Sequence, residues 1–185
     1  GYFSENNSLI IANENVTLEL ENGEVKAISE QTNMSIVNTK GAVVGNQKGS
    51  TIAYNTSSEV EKLIYNTLTV PYGKRFELFL SDGTHVHLNA GSTFKYPVKF
   101  LPNQKRQVYL TGEGYFDVAK DVNNIFVVNV EKSAIEVYGT RFNVSAYTDD
   151  VFTDVVLVEG KVTVIIENRN CLLYTSDAAD DLLCV

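Results

Sequence analysis

Hydrophobic and polar residues alternate most clearly in the segment 76–97. From Phe76 to Leu80 every second residue is apolar, and the alternation resumes from His85 to Leu88. Between these runs, Ser81 to Thr84 contains an Asp-Gly pair, which is typical of the corner of a β-hairpin. A second turn precedes Ser92, and Pro97 ends the third arm because proline has no N–H to donate to a neighbouring strand. The pattern predicts a three-strand β-meander.

A fainter copy of the same hairpin lies nearer the start of the chain. Laid over Phe76 to Val86, Val16 to Val25 repeats the alternation and the Asx-Gly corner at Asn22-Gly23, and we match its valine, Val25, with Val86. We interpret the two hairpins as a repeated unit. In the polar segment between them we expect short strands near 35–37 and 51–54. Ser58 to Glu61 could open a turn of helix through a capping box or form a surface loop.

The remaining strands follow at short spacing with glycines between them. We expect strands over 107–110, 115–118, 125–130, 135–138, 141–147, 155–158 and 161–166. Thr111 to Gly114 should form a corner, and the last two strands a hairpin across Glu159-Gly160. The residues predicted to point inward are Ile135, Val137, Phe142, Val144, Val162 and Val164. This pattern predicts an all-β fold, an antiparallel sandwich or jelly-roll-like β-roll built of consecutive hairpins, with a short β-solenoid as the alternative.

Composition agrees with a sheet-rich globular domain. Hydrophobic residues make up 44% of the 185-residue chain, and valine, tyrosine, phenylalanine and threonine are plentiful. The formal net charge of −8 disfavours wrapping nucleic acid or lying on an anionic membrane. The nearest approach to a basic cluster, Lys105-Arg106, is interpreted as an ordinary solvated turn. No apolar run reaches the roughly 20 residues that a membrane-spanning helix needs.

The alternation stops at Asn170. Cys171 to Val185 shows no strand pattern and resembles translated sequencing-adapter DNA, so we expect residues 169–185 to be a non-native tail. This segment holds both cysteines of the chain, and we therefore predict neither a disulfide nor a metal site from them. Without its three aspartates the net charge is −5.

The only two histidines, His85 and His87, lie two positions apart on the second strand of the central hairpin. Side chains at i and i+2 of a strand share a face, so both imidazoles could reach one metal ion. A structural zinc site needs four protein ligands and a catalytic site three, and no third ligand is close in sequence. We therefore predict two solvent-facing histidines, with no metal site and no cofactor.

Four acidic residues could be compared with the carboxylate pair of a glycosidase: Asp82, Glu113, Asp117 and Glu159. Each lies in or beside a predicted turn, where carboxylates are commonly solvated. The chain also lacks a G-x-S-x-G nucleophile motif and a phosphate-binding loop. We predict that the protein is not an enzyme.

One residue pair could support chemistry on the chain itself. If the Gly139-Thr140 bond is strained in a tight turn, the threonine hydroxyl could attack the glycine carbonyl and form an ester, which water then cleaves. A plain β-turn or bulge explains the same pair without chemistry and is the simpler interpretation.

Several short segments form a recognisable set when they are taken together. They are Tyr65–Gly73, Leu80–Ser92, Tyr96-Pro97, Gly112–Val118, Val137–Tyr147 and Leu157–Gly160. In this order they resemble the periplasmic domain of FecR-like anti-sigma regulators, particularly the form found in Bacteroidetes. The candidate motif and structural residues are Asp82, Gly83, Thr84, Asn89, Pro97, Gly112, Glu113, Phe116, Gly139, Thr140, Phe142 and Gly160.

Two positions depart from the pattern of that family. His87 stands where an aromatic residue such as Trp is expected, and Gly114 stands where Ala is usual. We expect neither departure to fall on a buried position. Some members of the family cleave themselves at a Gly-Thr bond, and Gly139-Thr140 matches that position.

The resemblance implies a role in signalling. Such regulators have a cytoplasmic sigma-binding segment, one membrane helix, this periplasmic domain and a small C-terminal domain. A ligand-loaded TonB-dependent outer-membrane transporter contacts the periplasmic domain through its own N-terminal signalling domain. The regulator then releases or activates an extracytoplasmic-function sigma factor.

The same resemblance sets the expected organisation. Because the sequence begins at Gly1 without Met, we expect an interior piece of a longer product. Residues 1–64 should be an N-terminal part of the periplasmic region, and residues 65–168 the FecR-like β domain. The sigma factor would be a partner only through the missing cytoplasmic segment, and attachment to the inner membrane would come from a helix outside this sequence.

Two other functions stay open at this point. A carbohydrate-binding β-sandwich would need an exposed aromatic patch, and the lack of tryptophan weakens that interpretation. A β-repeat surface scaffold would need further copies of the hairpin unit. For a relay domain we expect the partner to dock on a strand edge or surface rather than in a pocket.

Overall fold

The computed structural model describes residues 14–56 and 62–166 and, for the backbone alone, residues 169–174 and 181–184. Every regular element in these ranges is a strand, which confirms the all-β prediction. The strands are β1 (Val16–Glu19), β2 (Val25–Ile28), β3 (Asn33–Val37), β4 (Val43–Lys48), β5 (Thr51–Tyr54), β6 (Tyr65–Val70), β7 (Phe76–Phe79), β8 (His85–Leu88), β9 (Ser92–Pro97), β10 (Arg106–Asp117), β11 (Phe126–Asn129), β12 (Ser133–Val137), β13 (Arg141–Ala146), β14 (Asp154–Glu159), β15 (Lys161–Ile166), β16 (Arg169–Tyr174) and β17 (Asp181–Cys184). Within the same ranges, no helix has the length and hydrophobicity needed to span a membrane.

The strands form one curled sheet that folds over into two layers around a common core. The first layer has the order β2-β1-β6-β9-β10-β11-β12-β15-β16-β17. The second has the order β3-β4-β5-β7-β8-β10-β13-β14. The predicted sandwich-like roll is therefore present, and the solenoid is not. The prediction of purely antiparallel pairing is wrong for β5–β7 and β10–β11, which are parallel.

The core follows the alternation in the sequence. All six residues predicted to point inward are buried: Ile135, Val137, Phe142, Val144, Val162 and Val164. Successive side chains of a strand point to opposite faces, so each apolar set faces the common core while its neighbours face outward. Burial of these apolar faces is the main force that holds the two layers together.

A buried polar contact also joins the two layers. Tyr54 on β5 and Tyr96 on β9 have their hydroxyl oxygens 2.6 Å apart. Asn66 on β6 donates its Nδ2–H to the Tyr54 oxygen at 3.1 Å. Burial raises the pKa of Tyr54 to about 12. The phenol therefore stays neutral at ordinary pH, and its hydrogen bonds satisfy polar groups inside an apolar core.

The central hairpin forms as predicted, but the third strand of the predicted meander does not pair with it. β7 and β8 are antiparallel partners. After β8 the chain turns through Gly91, whose φ is +74°, and β9 enters the first layer, where it pairs with β6 and β10. The predicted meander is therefore wrong, because the free edge of β8 is taken by the C-terminal half of β10. Pro97 is the last residue of β9, as predicted.

A single twelve-residue strand replaces the corner predicted at Thr111 to Gly114. β10 runs from Arg106 to Asp117 and passes from the first layer to the second at Gly112. Gly112 has a φ of +108°, and a Cβ atom there would lie 2.7 Å from Ser92 Cα. Glycine is needed at this point for a close crossing rather than for a turn between two strands.

The predicted hairpin across Glu159-Gly160 is also wrong. β14 pairs with β13 in the second layer, whereas β15 pairs with β12 in the first. Gly160, with a φ of +99°, lies where the chain crosses between the layers, and Thr140 lies at the earlier crossing from β12 to β13. Thr140 Oγ1 donates to the Lys161 carbonyl at 3.0 Å, so the two crossings are bonded to each other. A glycine corner in the sequence does not by itself distinguish a hairpin from a crossing.

The repeated hairpin corner is real and occurs a third time. Corners 20–24 and 80–84 each contain the same two backbone hydrogen bonds, with lengths of 2.8–2.9 Å. The N–H of the first residue donates to the carbonyl of the fifth residue, and the glycine N–H donates to the carbonyl of the first. The same bonds form at 38–42, between β3 and β4, and neither this corner nor β4 was predicted from the sequence. Superposing the corners places Val25 over His85 rather than Val86, and Val25 is 59% exposed. The predicted valine match is therefore wrong.

The outcome for the less regular parts is mixed. The strands predicted near 35–37 and 51–54 form within β3 and β5. The helical turn or loop predicted at 58–61 lies outside the described residues. The backbone of 169–174 and 181–184 forms β16 and β17 beside β15, contrary to the expectation of no strand there, because hairpin pairing uses backbone groups and needs no side-chain alternation. The domain limits and the non-native origin of residues 169–185 stay predictions.

Candidate functional site

The central hairpin corner is anchored by a buried ion pair. Arg106 is 3% exposed, and its Nη1 donates to Asp82 Oδ2 at 2.7 Å. The Thr84 backbone N–H donates to Asp82 Oδ1 at 2.9 Å, and the Thr84 hydroxyl donates to Oδ2 at 2.8 Å. Gly83 supplies the φ of +88° that the corner needs. Three of the candidate motif residues, Asp82, Gly83 and Thr84, therefore act together as a structural corner.

Arg106 also binds backbone carbonyls from three other places. Its guanidinium donates to the carbonyls of Asn124 at 2.9 Å, Ala119 at 2.8 Å and Tyr138 at 3.3 Å. These bonds join the corner to the segment after β10 and to the end of β12. The expectation of a solvated turn at Lys105-Arg106 is wrong for the arginine. Alternation along the strand could have predicted this burial, because Arg106 lies two residues before Val108 and points to the same inward face of β10.

A second carboxylate, Glu113, lies on the outer face of the second layer. Asn89 Nδ2 donates to Glu113 Oε1 at 2.6 Å, and Asn143 Nδ2 donates to Oε2 at 3.1 Å. The Ser92 hydroxyl bridges the backbone of the same residue, accepting from its N–H at 2.9 Å and donating to its carbonyl at 3.1 Å. Glu113 and Asn89, both candidate motif residues, thus hold the β8–β9 crossing against the crossing in β10.

The carboxylates considered for glycosidase chemistry each have partners of their own. Asp82 binds Arg106, and Glu113 binds two amides, as described above. Asp117 and Glu159 share Arg141, with N···O distances of 3.6 and 3.7 Å. These contacts give each of the four acids a structural role.

Strand pairing sets two rows of side chains across the outer face of the second layer. One row contains Glu77, His87, Tyr115 and Asn143. The adjacent row contains Phe79, His85, Asp117 and Arg141. An open cleft of about 380 Å³ lies beside the first row, lined partly by Arg75, Glu77, His87 and Glu113.

Glu77 faces both histidines from the neighbouring strand. His87 Nδ1 lies 3.0 Å from Glu77 Oε1, and His85 Nε2 lies 3.4 Å from Oε2. All three side chains are partly exposed, at 26–42%. No third ligand is close to the histidines in sequence, but the register of the hairpin brings Glu77 opposite His87. Within the described residues, these three side chains are the cluster that could hold a metal ion.

The Gly139-Thr140 pair lies at the crossing from β12 to β13. Thr140 is 5% exposed, and its hydroxyl donates to a backbone carbonyl, that of Lys161, rather than to a side-chain base. A Cβ atom at Gly139 would lie 2.7 Å from Lys120 Cα, and one at Gly160 would lie 3.1 Å from Thr140 Oγ1. Close packing of these crossings explains the two glycines and the threonine without chemistry.

The other candidate residues belong to the interior. Phe116 and Phe142 are fully buried and stack with their centroids 5.3 Å apart. Gly114 is also buried, and a Cβ atom there would lie 3.0 Å from Phe116 Cε2. The expectation that Gly114 is not a buried position is therefore wrong. The missing methyl leaves room for the Phe116 ring.

The strand β14 forms an apolar edge of the second layer. Among the described residues it is hydrogen-bonded to β13 and to no second strand, and Cα atoms of β16 come within 8 Å of it. Val156 and Val158 on this strand are each 53% exposed, and the preceding loop exposes Val151 at 90% and Phe152 at 77%. An edge strand offers unpaired backbone N–H and C=O groups, so β14, like the edge strands β2 and β3, could accept a strand from a partner.

Comparisons with known proteins agree with one another. The family profile described as FecR protein matches residues 66–163, just over half of the chain. Two crystal structures of a proposed anti-sigma factor from Parabacteroides distasonis are similar in fold. One, at 2.50 Å resolution, has 30% identity and a TM-score of 0.55, with 65% of this chain and 59% of that chain covered. The other, at 1.65 Å resolution, has 31% identity and a TM-score of 0.54, with 64% and 58% covered.

The match begins at β6 and ends in β15, so it contains the central corner, the crossings and the apolar edge. The chain spans about three-fifths of the length of these structural relatives. No curated protein matches it significantly. On the family match over more than half of its length, the chain belongs to the FecR family.

Proposed function

We propose that this chain is the periplasmic signal-relay domain of a membrane-anchored anti-sigma regulator. In this proposal it couples a TonB-dependent outer-membrane transporter to an extracytoplasmic-function sigma factor. The observation that carries the proposal is the family match over residues 66–163. FecR domains are typically periplasmic, and the family is regulatory rather than typically enzymatic.

The proposed partner is the N-terminal signalling domain of the transporter, and the proposed contact is the β14 edge. Strand addition uses the backbone groups of an open edge for affinity and neighbouring side-chain sites for specificity. The β14 region offers both an open edge and exposed apolar groups, Val156, Val158 and Phe152. The sigma factor would be bound by a segment outside this sequence, and inner-membrane attachment would also lie outside it.

The test measures binding of the purified N-terminal signalling domains of TonB-dependent transporters from the same genome. Val156→Lys places a charge on the β14 edge, and a charged edge residue disfavours strand addition. Val25→Lys is the matched control, because Val25 is similarly exposed on β2, the edge of the first layer. We expect Val156→Lys to weaken binding by more than tenfold, roughly 1.4 kcal/mol, and the control to leave it unchanged. Equal effects of the two variants would remove β14 as the docking edge, and no binding by the parent protein would remove the proposed partner.

The carbohydrate-binding alternative has limited support in the exposed aromatic residues. Tyr65 and Tyr109 meet on the outer face of the first layer at an angle of 68°, with the Lys95 ammonium over both rings at 5.2 and 5.7 Å. This pair therefore does not present the two coplanar faces of a flat sugar platform. A glycan array with the isolated protein discriminates this function, because the relay domain should give no specific glycan signal.

Self-cleavage at Gly139-Thr140 stays a prediction. It requires the Thr140 hydroxyl to leave the Lys161 carbonyl and attack the Gly139 carbonyl carbon. The Gly139–Thr140 C–N bond then breaks, the Thr140 nitrogen takes the hydroxyl proton, and water hydrolyses the resulting ester. Purified parent, Thr140→Ser and Thr140→Ala proteins should be compared by mass spectrometry. Cleavage predicts two fragments from the parent and the serine variant and none from the alanine variant. A single intact chain from all three would reject it.

A further inference from the structure

We propose that Glu77, His85 and His87 form a binding site for one divalent transition-metal ion, of the Zn²⁺, Ni²⁺ or Cu²⁺ class. The three residues come from both strands of the central hairpin. His85 and His87 share the outer face of β8, and Glu77 lies directly opposite His87 on β7. Two imidazoles and a carboxylate are a common ligand set for these ions.

The spacing of the ligand atoms fits such an ion. Glu77 Oε1 is 3.0 Å from His87 Nδ1, Glu77 Oε2 is 3.4 Å from His85 Nε2, and one donor atom from each residue lies within 4.8 Å of the others. Two ligands bound to zinc at about 2.1 Å with a tetrahedral angle are roughly 3.4 Å apart. Small side-chain rotations therefore suffice to bring the three donor atoms to one ion.

Aromatic neighbours hold the imidazoles in place. The Phe79 ring stacks on His85 with a centroid distance of 4.1 Å and an interplanar angle of 13°. Tyr115 meets the edge of His87 at 5.8 Å, and the two imidazoles lie 4.0 Å apart. Rings packed on both sides lose less conformational freedom when they bind a metal.

The surrounding charges are compatible with a cation. Asp117 lies opposite His85 on β10, and Glu113 lines the cleft beside His87. Arg141 pairs with Asp117 at 3.6 Å, and Arg75 lines the same cleft. Three protein ligands leave at least one coordination position, and the partial exposure of the side chains directs that position toward solvent. A water molecule or an added ligand could occupy it.

The competing explanation is a carboxylate that only accepts hydrogen bonds from two imidazoles. It predicts the same distances but no affinity for metal ions. A metal-binding measurement in solution therefore distinguishes the two explanations, whereas the interatomic distances do not.

The experiment uses the full chain with Cys171→Ser and Cys184→Ser in every sample, because free thiols would bind zinc on their own. Zinc is titrated by calorimetry into untagged protein at pH 7.5. We expect one Zn²⁺ per chain, no competition from a large excess of Mg²⁺, and a large loss of affinity at pH 5, because protons and zinc compete for the same imidazole nitrogens.

Glu77→Gln, His85→Gln and His87→Gln should each weaken zinc binding by more than about tenfold. Glu159→Gln is the matched control, since Glu159 is an exposed carboxylate on β14 outside the cluster, and it should change the affinity by less than twofold. The chain has only two histidines, so their imidazole NMR signals report the site directly, and both should shift on addition of zinc. No zinc binding, or binding that survives His85→Gln with His87→Gln, would overturn the proposal. Circular dichroism establishes that each variant remains folded.

Discussion

Two hairpins of this protein have the same corner and very different surroundings. The β1–β2 hairpin and the β7–β8 hairpin share corner hydrogen bonds, a glycine with φ of +84° or +88°, and an Asx side chain that accepts from a backbone N–H two residues later. In the first, Asn22 is exposed and makes that one bond at 3.0 Å. In the second, Asp82 is also bound to Thr84 Oγ1 and to buried Arg106.

The side chains on the outer faces of the two hairpins also differ. The positions of Glu77, His85 and His87 correspond to Thr17, Val25 and Ala27 in the first hairpin. The glycine and Asx residues therefore specify the shape of the corner, while neighbouring strands determine what the corner stabilises and what its face can bind. The first hairpin lies at the edge of its layer, whereas the second is enclosed between β5 and β10.

The largest expected effect comes from removing the Asx side chain in each hairpin. Asp82→Ala leaves the Arg106 guanidinium buried without its charge partner, which should lower the free energy of unfolding by about 3–5 kcal/mol. Asn22→Ala removes one exposed hydrogen bond and should cost about 0.5–1.5 kcal/mol. Urea denaturation followed by circular dichroism measures both values. Similar costs would mean that the ion pair does not distinguish the two corners.

A smaller and equal effect is expected from the corner glycines. Gly23 and Gly83 have positive φ, and a Cβ atom at either would have no neighbour within 4 Å. Alanine should therefore cost only the conformational strain, about 1–2 kcal/mol in each hairpin. The same denaturation experiment tests this, and a difference between Gly23→Ala and Gly83→Ala larger than about 1 kcal/mol would contradict a shared corner conformation.

The smallest effect on stability is expected from transplanting the metal ligands. Thr17→Glu, Val25→His and Ala27→His change partly or fully exposed positions and should alter stability by about 0.5 kcal/mol or less for each change. The triple variant should bind a second zinc ion in the calorimetric titration, because the cross-strand register of the two hairpins is the same. A folded triple variant that still binds one ion would show that the flanking Phe79 and Tyr115 rings are required as well.

Periodicity predicted much of the fold, and its errors have a common cause. Alternation identified the inward faces correctly, because burial of every second side chain is a local property of a strand. It misplaced β9, the corner in β10 and the last hairpin, because partner choice depends on which edge is free in space. Gly112 and Gly160 look like turn residues in the sequence, yet both allow the chain to cross between layers.

The candidate site could be predicted only in part for the same reason. His85 and His87 were visible as a pair because they lie two positions apart, but Glu77 joins them through hairpin register. Arg106 looks like a surface charge beside exposed Lys105, and only its parity with Val108 indicates burial. The apolar edge of β14 could not be recognised before the neighbours of that strand were known.

Hydrogen exchange on this domain, with and without the signalling domain of the proposed transporter partner, is the decisive measurement for docking at β14. Docking at this edge should give new protection of backbone amides in β14, Asp154–Glu159, and none in β2, Val25–Ile28, the edge strand of the other layer. Protection confined to β2, or no change on any strand while the two proteins are bound, would contradict docking at the β14 edge.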